Sequence, residues 1–161
     1  MKMNTESTVG EREERGFGEL SARVLGACIE VHRHLGPGLL ESTYERCLCH
    51  ELSLVGLSFT RQLLVPVIYK GVTFDCGYRL DVVVEDKLVL ELKAVDRLLP
   101  IHEAQVLTYL KLTGLEVGLL VNFNTPVLRT GIRRLTRRST SGLRPPPTPL
   151  IPSDPLIPHS C

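Results

Sequence analysis

At 161 residues, 43% hydrophobic and 23% charged, the chain suits one domain with tails and can build an ordinary core. Its net charge of +1 neither demands nor excludes a nucleic-acid partner. No apolar run approaches the ~18 residues of a membrane span, and Met1 to Arg15 lacks the apolar segment of a secretory signal, so no membrane partner and a cytoplasmic (or nuclear) location are expected.

Residues 1–16 are polar, charged and without apolar period, and are expected to be disordered. A helix is predicted from about Gly18 to Leu35, with Leu20, Val24, Ala27, Cys28, Val31 and Leu35 as its stripe. Gly36-Pro37-Gly38 ends it. A second helix follows from about Leu39 to Val55, with Leu40, Tyr44, Cys47, Leu48, Leu52 and Val55 inward. Strands are expected over 58–69, 72–84 and 88–95, and Pro66 suggests an edge or a bulge in the first. Pro100 opens a helix to Leu112, with Ile101, Ala104, Leu107 and Leu110 as its core stripe. Leu115 to Phe123 reads as a strand covered on both sides, reached by a crossover. Val127 to Arg138 is an element of open type. Seven of the eleven prolines lie between Pro145 and Pro158, so 139–161 reads as a disordered Pro-rich tail outside a domain over 17–138.

The five cysteines, Cys28, Cys47, Cys49, Cys76 and Cys161, are odd in number and lack CxxC spacing. Reduced, buried thiols fit better than a disulfide framework. A zinc site joining Cys47 or Cys49 to His32, His34 or His50 lacks the usual ligand spacing.

The chemistry concentrates in the hairpin Arg79–Val84, Glu85-Asp86-Lys87, Leu88–Lys93. Centred on Asp86, it pairs Leu80 with Leu92, Val82 with Leu90 and Val84 with Leu88, which makes one face apolar. The same register opposes Asp81 and Glu91 on the other face, with Lys93 two residues on. Opposed carboxylates repel, and a cation between them removes the repulsion; oxygen donors suit Mg²⁺ or Mn²⁺. Lys93 is placed to position a water or to stabilise charge on a phosphate. The same residues also fit a salt-bridged strand face in which Lys93 neutralises the carboxylates.

Other polar residues can join this site. Glu41 opens the second helix, where the dipole alone would favour it, and it can also supply a third carboxylate. Gln105 and Tyr109 are four apart on the later helix, suited to a base or phosphate and to stacking or orienting a water. His102, a turn earlier, is a weaker candidate. Arg129, Arg133, Arg134, Arg137 and Arg138 form a basic cluster that can hold phosphates or simply be solvated.

Gly38-Leu39-Leu40-Glu41-Ser42-Thr43-Tyr44 reads GxxExxY. With Arg79-Leu80-Asp81, Glu91-Leu92-Lys93, Glu103-Ala104-Gln105…Tyr109 and Gly118–Phe123, the chain resembles the GxxExxY protein family, a branch of the PD-(D/E)XK nuclease superfamily, over roughly residues 18–135. The resemblance implies an α/β, restriction-endonuclease-like core of order α-α-β-β-β-α-β with a mixed sheet. It implies Asp81, Glu91 and the Leu92 carbonyl as metal ligands, Lys93 as catalytic lysine, and Glu41 as the acidic residue of the first core helix. Gln105 and Tyr109 match a QxxxY helix motif near the site, and Arg79 and Tyr44 join them as substrate contacts. The expected activity is Mg²⁺- or Mn²⁺-dependent hydrolysis of nucleic acid, DNA first, by a monomer or a homodimer, since many relatives by fold cut as dimers. The alternatives are a catalytically silent nucleic-acid-binding module on the same fold and a protein-interaction role through the Pro-rich tail.

Overall fold

The computed structural model describes residues 6–137, with side chains from Gly18 onward except Cys76. The elements are α1 (Glu6–Leu35), α2 (Glu41–Leu54), β1 (Phe59–Tyr69), β2 (Val72–Val84), β3 (Leu88–Lys93), α3 (Pro100–Thr113), β4 (Val117–Asn122), a short 3₁₀ turn (Leu128–Gly131) and β5 (Ile132–Thr136). The sheet runs β1-β2-β3-β4-β5. All neighbours are antiparallel except β3 and β4, which the α3 crossover makes parallel. This is the expected α/β order with β5 added, so the open element over 127–138 is a 3₁₀ turn and an edge strand.

α1 starts at Glu6, well before the predicted start, so the expectation of disorder fails from Glu6 to residue 16. Glu and Arg, frequent in this stretch, are good helix formers without an apolar stripe. The Pro-rich tail at 139–161, Arg138 and Cys161 lie outside the described residues. No helix among the described residues is long and apolar enough to cross a membrane.

The sheet is covered on both faces, which is why Leu88–Lys93 and Val117–Asn122 read as near-continuous apolar runs. On one face, Leu20, Val24, Cys28 and Val31 of α1 and Tyr44, Leu48 and Leu52 of α2 pack on Val82, Leu90, Leu92, Leu119 and Val121. On the other, Val106, Tyr109 and Leu110 of α3 pack on Val83, Val89 and Leu120. Burial pushes the thiol of Cys28 up to about 12 and that of Cys49 up to about 11, so both stay protonated.

The inward face of α3 differs from the expected one. Ile101 is 67% exposed and Ala104 and Leu107 are exposed as well, while Val106 and Tyr109 are buried. Gly118 explains the rotation. A Cβ there would lie 2.5 Å from Val106 Cγ1, so the bare strand backbone is the seat for Val106. On the α1–α2 side, Leu35, Leu40 and Val55 are also exposed rather than inward.

Over Val82–Val84 the hairpin register is the predicted one: Val82 pairs with Leu90 and Val84 with Leu88. Glu85 and Asp86 take positive φ (53° and 52°) at its turn. Farther out, the β1–β2 ladder shifts between Val65 and Val67, at Pro66. Gly77 fills the shift: a Cβ there would sit 1.9 Å from the Val65 carbonyl oxygen. Gly77→Ala is expected to speed amide exchange across residues 63–80 while β3 and β4 stay protected, as read by hydrogen–deuterium exchange. Unchanged exchange on the ribbon would contradict that close approach.

Candidate active site

The ladder between β2 and β3 stops at Val82 and Leu90, short of Asp81 and Glu91. The cause lies on β1. Arg61 pairs with Val82 and Leu63 with Leu80, but Gln62 and Asp81 between them do not pair. Gln62 takes φ 51°, in the left-handed region. The alternation slips by one there. Val82 belongs to the α1–α2 core, whereas Leu80, two residues away, packs in the α3 core. The predicted Leu80–Leu92 contact across one apolar face is therefore absent, because Leu92 remains on the α1–α2 side.

Glu45 holds this pivot. It is buried, and its carboxylate accepts hydrogen bonds from Arg61 Nε (2.9 Å) and Gln62 Nε2 (2.7 Å). Arg61 Nη2 is also 2.8 Å from Oε1. Sequence reasoning passed over both Glu45 and Gln62. The available signal was the polar Arg61-Gln62 pair entering an otherwise apolar strand. Gln62→Val and Gln62→Gly both lose the bond to Glu45, but only valine adds left-handed strain. Urea unfolding is expected to show the valine variant less stable than the glycine variant by about 1–2 kcal/mol; equal stabilities would remove Gln62 as the pivot.

Freed from the ladder, Asp81 turns its carboxylate to β3, where Oδ2 accepts the Leu92 N–H at 2.9 Å. The N–H and C=O of one extended residue point to the same side, so the Leu92 carbonyl turns toward this gap too. Glu91 is only 2% exposed. Its Oε1 accepts from Lys93 Nζ at 2.7 Å, and its buried Oε2 has no hydrogen-bond partner. Glu41 opens α2 and senses the charges of Lys93 and Asp81. Three carboxylates thus surround one ammonium.

The protonation equilibria follow from that imbalance. Burial, then the charge of Asp81, pushes Glu91 up to about 7 despite Lys93. Burial also raises Asp81, against the Leu92 N–H and Lys93, which favour its charge. Burial raises Glu41, with Lys93 opposing. For Lys93, burial pulls downward, but the Glu91 hydrogen bond and the surrounding carboxylates outweigh it and raise the pKa. Lys93 is therefore a persistent cation and not a neutral base.

α3 supplies the next wall. Tyr109 is buried, and burial followed by the charge of Glu91 pushes its hydroxyl up to about 12. Gln105 Nε2 donates to that hydroxyl oxygen. Glu41, Asp81, Glu91, Lys93, Gln105 and Tyr109 are thus brought together. Arg79 is exposed on β2, paired with Leu64.

Tyr44, expected as a substrate contact, is instead fully buried. Its hydroxyl donates to the Gly36 carbonyl and accepts the Leu39 N–H at 3.2 Å, and its ring stacks on Phe123 at 4.5 Å. It fastens the loop that delivers Glu41. Asn122 does the same for the loop after Lys93, bonding both the N–H (3.0 Å) and the carbonyl (2.8 Å) of Val95. His102 Nδ1 accepts the Leu99 N–H at 3.0 Å and so caps α3. Among the described residues, Arg133 and Arg134 do not share one patch. Arg133 pairs with Leu120 and Arg134 with Leu119, which places them on opposite faces of β5.

Among the described residues, no three His, Cys, Asp or Glu side chains are arranged as a metal cluster. Asp81 and Glu91, with the Leu92 carbonyl, are the oxygen donors that could hold a cation here. An orphaned, buried carboxylate oxygen amid excess negative charge fits a hard divalent cation.

No curated protein and no solved structure matches the chain. A family model for the PD-(D/E)XK nuclease superfamily matches residues 18–135, which run from the packed part of α1 into β5. The chain belongs to the PD-(D/E)XK nuclease superfamily.

Proposed function

We propose that the protein is a Mg²⁺- or Mn²⁺-dependent nuclease that hydrolyses phosphodiester bonds of nucleic acid, DNA first, and that it belongs to the GxxExxY branch of its superfamily. One observation carries this reading. Glu91 keeps a buried, unpartnered oxygen beside Asp81 and Lys93, in a site with more carboxylates than cations. Asp81, Glu91 and the Leu92 carbonyl would hold the cation, and Glu41 would stand behind them. A cation held there would supply Lewis-acid chemistry, neutralising a phosphate and acidifying a water.

The protein's own groups do the rest. Lys93, kept charged by its neighbours, donates to a phosphate oxygen or to the attacking water and stabilises negative charge in the transition state. Gln105 occupies one lone pair of Tyr109, which leaves the phenolic proton free to be donated. Tyr109 stays protonated and serves as a donor, not a base.

The test is a panel of labelled single- and double-stranded DNA and RNA, incubated with Mg²⁺, Mn²⁺ or chelator. Product that needs the metal supports the reading. Retarded nucleic acid with no product under any condition would replace it with the silent binding module.

A further inference from the structure

Beyond Gln62 the β1–β2 pair leaves the sheet. β3 pairs only with Val82–Val84, yet the β1–β2 ladder continues to Tyr69 and Val72. The two faces of this ribbon, residues 63–80, differ. The register sets Val65 beside Tyr78, Val67 beside Phe74 and Tyr69 beside Val72 on one face. Leu64 and Ile68 fall on the other. Tyr69, Phe74 and Tyr78 are 60%, 46% and 42% exposed. Every other described aromatic side chain is buried or half-buried.

The innermost of these rings meets the site. The Tyr78 ring meets that of Tyr109 edge-on at 5.6 Å, and Tyr109 feels the charge of Glu91. At the tip, the Lys70 ammonium lies 5.4 Å from the centre of the Tyr69 ring. Lys70 and Arg79 oppose only Asp75 on residues 63–80, so the ribbon is mildly cationic.

Exposed rings in a row call for an occupant. Strand addition by a second copy along β1 is opposed by Pro66, which lacks a donor, and by the register shift beside it. Paired bases cover one another's faces, whereas unpaired bases present theirs to stack on aromatic side chains irrespective of sequence. We infer that this ribbon face is a stacking platform for unpaired bases, so that the substrate reaches the site as a single-stranded segment of nucleic acid. The inference rests on the nucleic-acid reading and adds the substrate class to it.

The experiment needs no turnover. Labelled oligo(dT) and a blunt duplex of equal length are titrated, in chelator, with wild type, with a Tyr69→Ala/Phe74→Ala/Tyr78→Ala variant, and with Tyr69→Phe/Tyr78→Phe. The chain has no Trp, so tyrosine emission reports stacking directly. Wild type is expected to bind oligo(dT) with quenched tyrosine emission. The alanine variant should lose at least about 100-fold in that affinity, with little change for the duplex, while the phenylalanine variant, which keeps all three rings, retains it. Absence of oligo(dT) binding by wild type, or equal affinity in the alanine variant, overturns the proposal. So does a wild-type dimer in sedimentation that the alanine variant converts to monomer, since the face then belongs to a second copy. Failure of the nuclease reading looks different: oligo(dT) binding persists and metal yields no product.

Discussion

Glu91→Ala is expected to lower metal-dependent cleavage by roughly 10³-fold, the scale on which removing one preorganised electrostatic group acts, while the protein stays folded. The alanine deletes the carboxylate that carries the unpartnered oxygen. Removing one partner of a buried ion pair is ordinarily costly. Here Lys93 keeps Asp81 and Glu41 as counter-charges, and the lost group is the one whose charge the site least favours. Asp81→Ala should lose cleavage equally but be less benign for the fold, because the Leu92 N–H loses its acceptor. Lys93→Met should do most harm near pH 8, where it leaves three carboxylates without a cation. Cleavage rates and urea midpoints on the same preparations check these outcomes. Full activity in either carboxylate variant would remove that residue from the machinery.

The second large effect is a stability that falls as pH rises. Folding raises the Glu91 pKa from 4.5 to about 7, so between those values the folded protein holds a proton that the unfolded chain has released. The group costs nothing below about pH 4.5, and its penalty is complete above pH 7. At about 1.4 kcal/mol per pH unit, the loss across that window is on the order of 3 kcal/mol. Lys93, with its pKa raised, stays charged throughout and adds no slope there. The raised pKa values of Asp81 and Glu41 act in the same direction as Glu91. Thermal midpoints in chelator should therefore fall from pH 5 to pH 8, Glu91→Gln should flatten the fall, and Mn²⁺ should restore stability at the alkaline end by binding the deprotonated site. A metal-free protein as stable at pH 8 as at pH 5 would contradict the environment assigned to Glu91.

The hairpin register was readable because a one-residue slip would mix its apolar face with the face that carries Asp81 and Glu91. Asp81, Glu91 and Lys93 could be found for the same reason. The turn at Asp81 could not, since it depends on Gln62 adopting a left-handed backbone under the grip of Glu45, a residue of α2. The inward face of α3 was hidden too. That helix is apolar on several sides, and Gly118, on a strand that follows it, decides which side packs. Tyr44 and Asn122 stand within recognisable motifs, but their buried hydrogen bonds show that such motifs also preserve loop geometry around a site. The arginines of β5 read as a cluster along the chain and are divided by the pleat of the strand.

Asp81 and Glu91 together form the proposed cation site. Calorimetric titration of Mn²⁺ into wild type and Glu91→Gln at pH 8, without nucleic acid, tests it most directly. Saturable binding by wild type is expected, lost in a Glu91→Gln variant that is at least as stable at pH 8 as metal-free wild type. Equal binding by both proteins, or none by wild type, would leave Asp81, Glu91 and Lys93 as a salt-bridged strand face and contradict the account.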